Sequence, residues 1–112
     1  MRDAAMTDAQ VVLCTCPDEA IARALARKLL ESRLAACVNL LPGVRSLYLW
    51  QGELCDEAEV QLVIKSRAEH WPALERLIVE QHPYEVPEIL ALPVSQGLPA
   101  YLNWLQEETP SQ

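Results

Sequence analysis

The sequence predicts an α+β domain whose elements run β-α-β-β-α-β and close on a further helix. Three observations predict it. Apolar residues recur at helical spacing over 18–33 and again over 68–81. Short apolar runs at 10–14, 34–41, 59–65 and 89–94 read as strands. The two helical segments each separate a pair of these runs, which is the split βαβ arrangement of ferredoxin-like folds. Right-handed crossovers leave few alternatives for that order.

Each element has its own signal. Gln10 to Cys14 is a buried strand ending at Thr15. Thr15 and Asp18 then have capping-box spacing, and Pro17 suits a first helical turn. From Asp18 to Arg33, Ile21, Leu25 and Leu29 share one face, while Glu19, Arg23, Arg27 and Glu31 form a solvated stripe opposite. Leu34 to Leu41 is a second strand, interrupted by Pro42-Gly43, so it bends there and continues through Val44 to Trp50. Gln51-Gly52-Glu53 marks a turn, and Glu59 to Lys65 returns with Val60, Leu62 and Ile64 alternating with Gln61, Val63 and Lys65. Ala68 to Gln81 is the second helix, with Trp71, Leu74, Leu77 and Ile78 on one face. Ile89 to Val94 is the fourth strand, and Pro99 opens a helix over 98–107. One domain spans 8–107, with flexible tails at 1–7 and 108–112.

Composition narrows the function classes. Apolar residues make up 51 % of 112 residues, enough for one core without staples. Nine basic against sixteen acidic residues give a net charge of −7 with no basic cluster, which argues against nucleic acid. No apolar run reaches about 18 residues, so no membrane helix is expected. The first eight residues lack the apolar stretch of a signal peptide, and four cysteines then read as thiols in a reducing cytoplasm.

The hairpin past Pro42 raises a problem for a lone chain. Leu47, Tyr48, Leu49 and Trp50 put apolar side chains on both faces of an arm that a four-stranded sheet cannot cover. Either the closing helix folds back over it, or a neighbouring subunit buries Tyr48 and Trp50.

Chemistry concentrates at two stiff corners, Leu13-Cys14-Thr15-Cys16-Pro17-Asp18-Glu19 and Gln81-His82-Pro83-Tyr84-Glu85-Val86-Pro87-Glu88. In the split βαβ order the end of strand 1 and the start of strand 4 share one edge, so Cys14 and His82 should approach each other. Thiolate and imidazole are soft ligands suited to copper or zinc. Residues i and i+2 of an extended chain point the same way, so Cys16 could chelate with Cys14. Buried cysteines also serve as small hydrophobes, and a histidine after a helix can be a hydrogen-bonded spacer. Cys37 reads as core and Cys55 as an exposed thiol near the turn. A nucleophile–base pair of Cys14 and His82 lacks an orienting group and an anion cradle, so no enzyme is expected.

The same corners, with Leu34-Ala35-Ala36-Cys37-Val38-Asn39, Leu41-Pro42-Gly43-Val44, Leu47-Tyr48-Leu49-Trp50-Gln51-Gly52-Glu53, Leu92-Pro93-Val94 and Tyr101-Leu102-Asn103-Trp104-Leu105, resemble the divalent-cation tolerance protein CutA family from about Val11 to about Leu105. The resemblance implies a homotrimer joined through the hairpin arm, a role in metal tolerance, and copper held by the first-strand cysteine and a histidine pair before Pro-Tyr. Gln81 stands where that pair has its first histidine, so a further ligand falls to Cys16, Glu59 or a neighbouring subunit. The CutA family in turn resembles the PII signalling trimers, which bind small effectors between subunits. On that analogy Tyr84, Glu88, Glu59, Lys65 and Arg67 could line an effector cleft instead.

Overall fold

The computed structural model describes residues 7–112, so most of the expected N-terminal tail lies outside the described residues. The chain forms β1 (Ala9–Cys16), α1 (Glu19–Glu31), β2 (Cys37–Trp50), β3 (Glu53–Arg67), α2 (Trp71–Gln81), β4 (Leu90–Pro93) and α3 (Pro99–Glu108), with a 3-10 turn (Ala68–His70) ahead of α2. The sheet is antiparallel throughout, in the order β2-β3-β1-β4, as the split βαβ reading requires.

One face of the sheet carries the core. Val12, Cys14 and Cys16 of β1 and Val60, Leu62 and Ile64 of β3 meet Ala22, Leu25 and Leu29 of α1 and Leu74 and Ile78 of α2. Alternation along the strands places these on one side, and each fully buried Leu or Ile contributes about 1.5–3 kcal/mol. Val38 and Leu40, in register with Ile64 and Leu62, pack against the same core. Cys37, expected inside the core, pairs with Lys65 and belongs to the other face. Its sulfur lies 3.8 Å from the Lys65 ammonium and is half-buried. Cys55 is likewise half-buried rather than open.

Helix α1 begins and ends differently from the expectation. Thr15 stays in the strand, opposite Gln61, and Asp18 caps the helix by accepting from the Ile21 amide at 2.9 Å. Replacing Asp18 with Ala should cost about 1 kcal/mol of stability, measured by urea unfolding, because that amide loses its acceptor. The helix stops at Glu31 because Arg33 adopts φ 63°, and the Leu34 and Arg33 amides return to the carbonyls of Leu29 and Leu30. This is a Schellman closure made without glycine.

The hairpin is longer than expected. Gly43, at φ 80°, sits in the bulge between Leu41 and Val44, and Gln51-Gly52, both at positive φ, turn the chain between Trp50 and Glu53. Positive φ at both central residues is the type I′ geometry that matches strand twist. Residues 53–58, not expected as strand, are recruited by pairing with 45–50 across this turn. Because β1 reaches only Val60, the pairs from Val44–Glu59 to Trp50–Glu53 have no third strand beside them. That arm extends about 20 Å. Alternation divides it: Tyr48 and Trp50 share a face with Cys55, Glu57 and Glu59, while Leu47, Leu49 and Leu54 line the other. Leu49 and Trp50 are 73 % and 52 % exposed, so α3 does not fold back over them.

The closing segment differs from a free tail. Arg67, 4 % exposed, donates from Nε (3.1 Å) and Nη2 to the carbonyl of Thr109, and His70 Nε2 donates to the same carbonyl at 2.9 Å. Asp8 and Glu69 neutralise the guanidinium at 3.1 and 2.8 Å. Thr109 is fully buried, its hydroxyl donating to the Leu105 carbonyl, and Gln112 reaches the Ser32 carbonyl. At the other end, the Thr7 hydroxyl bonds to the Val94 carbonyl at 2.8 Å.

Candidate metal centre

Two local features build the cluster. Strand alternation turns Cys14 and Cys16 toward the helices, and Pro17 with the Asp18 cap ends the strand immediately after them. Helix α2 ends at Gln81, and its next residue, His82, is extended ahead of Pro83 and lies under the end of β1. The result is three buried side chains, Cys14, Cys16 and His82, whose donor atoms all lie within 4.8 Å of one another.

The imidazole has a defined tautomer. The Tyr84 backbone N–H donates to Nδ1 at 3.1 Å, and a backbone N–H can only donate, so Nδ1 carries the lone pair. Nε2 then carries the proton and donates to the Thr15 carbonyl at 2.7 Å. Tyr84 in turn stacks obliquely on His82, with ring centroids 4.7 Å apart, and its hydroxyl donates to Glu59 at 2.7 Å. Burial, then that bond to Glu59, pushes the Tyr84 phenol well above its ordinary pKa.

The two thiols behave as a pair. The Cys14 thiol donates to the Thr15 carbonyl at 3.8 Å. Its interaction with the neighbouring Cys16 sulfur is the largest influence raising the Cys14 pKa; burial and the negative charges of Cys16, Glu88 and Glu59 add to it. The neighbouring Cys14 lowers the pKa of Cys16 against the opposing effects of burial, Glu59 and Asp18.

The other expected site residues separate. Glu59 and Tyr84 touch, and Glu88 is close enough to act on Cys14. Lys65 and Arg67 stand six and eight positions beyond Glu59 on β3, about 20 Å or more away in an extended strand. Lys65 bonds to Asn39, and Arg67 is committed to Thr109. The five therefore do not line one cleft within a single chain. Gln81 is exposed, on the groove between α1 and α2 beside Lys28 and Arg76, and it takes no part in the cluster. Reading the sequence missed the role of the Tyr84 amide. Its signal was the stiff His-Pro-Tyr spacing, which brings residue i+2 back onto the ring.

Soft donors suit the place they occupy. Two sulfurs and one nitrogen in a buried setting match copper(I) or zinc better than hard cations. Donors at about 2.3 Å from a common ion lie at most about 4.6 Å apart, so the observed spread is one small side-chain adjustment from a shared centre.

Residues 10–108 match the family described as CutA1 divalent ion tolerance protein. A divalent-cation tolerance protein CutA from Pectobacterium atrosepticum is 56 % identical over 94 % of this chain and 96 % of its own length. The structure of the divalent cation tolerance protein Cut A1 from Thermus thermophilus superposes with a TM-score of 0.89 at 47 % identity, over 91 % of this chain and 99 % of that one. CutA from Xylella fastidiosa superposes with a TM-score of 0.91 at 43 % identity, over 93 % of this chain and all of that one. With an ordered match over almost its whole length, the chain belongs to the CutA1 divalent ion tolerance protein family.

Proposed function

We propose that this chain contributes to metal tolerance by binding a soft or divalent cation, copper foremost, at Cys14, Cys16 and His82, as a cytoplasmic homotrimer. The observation that carries the reading is the convergence of three buried, metal-capable side chains from opposite ends of the sequence. The sulfurs supply charge and softness, His82 supplies a lone pair once it gives up one hydrogen bond, and Cys16 takes the place left by Gln81. When bound, the ion supplies only its charge and coordination preference. Cys14 and Cys16 would both bind as thiolates, each giving up its proton, and Glu59 and Glu88 place negative charge near Cys14.

Binding is favoured over catalysis by the state of His82. Its lone pair is held by Tyr84 and its proton faces a carbonyl, so it is not placed to deprotonate either thiol. Trimer formation is supported by the uncovered arm, where a single chain leaves Leu47, Tyr48, Leu49, Trp50 and Leu54 exposed.

Anaerobic titration of the reduced protein with copper(I), zinc(II) and manganese(II) tests the reading. Copper(I) should bind at one equivalent per chain with sulfur-to-metal absorbance in the ultraviolet, and manganese(II) should not bind. Loading displaces the Cys14 proton, so affinity should rise with pH and fall on acidification. An equal response to all three metals, or none, contradicts it.

A further inference from the structure

His82 holds the connector 82–88 in place through a bond that its own coordination must break. In the tautomer these partners require, the ring's one lone pair is at Nδ1, and the Tyr84 amide donates to it. If His82 ligates through Nδ1, the amide is displaced directly. If it ligates through Nε2, the ring proton must move to Nδ1, where it meets the Tyr84 N–H donor to donor. Either route removes the bond to Tyr84, and the second also removes the bond to Thr15.

We infer that ligation at His82, by either ring nitrogen, frees the Tyr84 amide and so couples the Cys14–Cys16–His82 cluster to the connector and to the root of the hairpin arm. The coupling runs through named contacts. The His82 and Tyr84 rings touch obliquely, so a shift of one moves the other. The Tyr84 hydroxyl is fixed to Glu59, itself buried. Glu59 pairs with Val44 at the first position of β3 beyond the reach of β1, where the arm leaves the body of the sheet. A change at the cluster thus reaches the surface that the arm presents to a neighbouring subunit or partner. Pro83 and Pro87 flank the segment and limit how it can absorb the change locally. The inference rests on the proposed cation site and adds to it a conformational output.

Amide hydrogen exchange on the reduced full chain, with and without one equivalent of copper(I), tests it. The Tyr84 amide should exchange roughly tenfold faster or more on loading, as expected for loss of one protecting hydrogen bond, while Leu62 and Ile64 stay protected. His82→Gln is the second arm. Its amide oxygen can accept from Tyr84 and its NH2 can donate to Thr15, so Tyr84 should remain slow whether or not copper(I) is added. Copper(I) binding that depends on Cys14 while Tyr84 exchange is unchanged would overturn the inference and leave the cation site standing. Absence of any Cys14-dependent binding would overturn both.

Discussion

Replacing Trp50 with Asp should leave the fold of each chain intact and reduce the proposed trimer to single chains, as read by light scattering at micromolar concentration. Trp50 sits at the end of the arm, half exposed and outside the core cluster, so a change there costs the isolated chain little. If the arm is buried against a neighbour, the same change places an unpaired carboxylate in a desolvated contact, and Glu53 directly across the hairpin adds repulsion. Such a charge costs about 3–5 kcal/mol per contact. Three such contacts in a closed trimer would be enough to dissociate it. A variant that keeps the mass of the unaltered protein would show that the arm's aromatic face lies outside the interface. An unaltered protein with the mass of one chain would remove the trimer altogether.

Arg67→Ala should lower the stability of the folded chain by about 3–5 kcal/mol in urea unfolding, the scale for breaking a buried ionic network. The side chain is the hub between the end of β3, the Asp8 and Glu69 carboxylates and the carbonyl of Thr109. Without it that carbonyl keeps only His70, and the packing of α3 through Leu105 is no longer fastened. Arg67→Lys should fall between, since it keeps the charge but loses the forked geometry. Truncation after Glu108 should reproduce most of the loss. A loss below about 1 kcal/mol in Arg67→Ala would place the network among ordinary surface pairs.

Much of the fold was legible because the sequence states it locally. The bulge is written in Pro42-Gly43, the hairpin turn in Gln51-Gly52, and the first helix face in Ile21, Leu25 and Leu29. The convergence of Cys14, Cys16 and His82 was legible for a different reason: i, i+2 spacing in a strand, plus neighbouring strand ends, puts them together without knowledge of any side-chain contact. What escaped depends on tertiary partners. Residues 108–112 are polar and end in Pro-Ser-Gln, and nothing local says that Thr109 is buried against an arginine from β3. Arg33 closes α1 at positive φ where glycine would have announced the stop. Residues 53–58 are too acidic to read as strand and become one only because their partners pair with them. Lys65 and Arg67 join Glu59 in the expected effector cleft only by analogy with the PII trimers, and strand rise sets them about 20 Å or more from it within one chain.

The central claim is that Cys14, Cys16 and His82 act together on one soft cation, and copper(I) affinity across single variants tests it most directly. Competition titrations under anaerobic, reducing conditions should compare the unaltered protein with Cys14→Ser, Cys16→Ser and His82→Ala, with oligomeric mass checked for each. The account predicts that each variant keeps the mass of the unaltered protein and binds copper(I) at least tenfold more weakly, with each serine variant showing weaker sulfur-to-metal absorbance because one of the two sulfurs is gone. Equal affinity in all four proteins would contradict it and would make these three side chains part of the core alone.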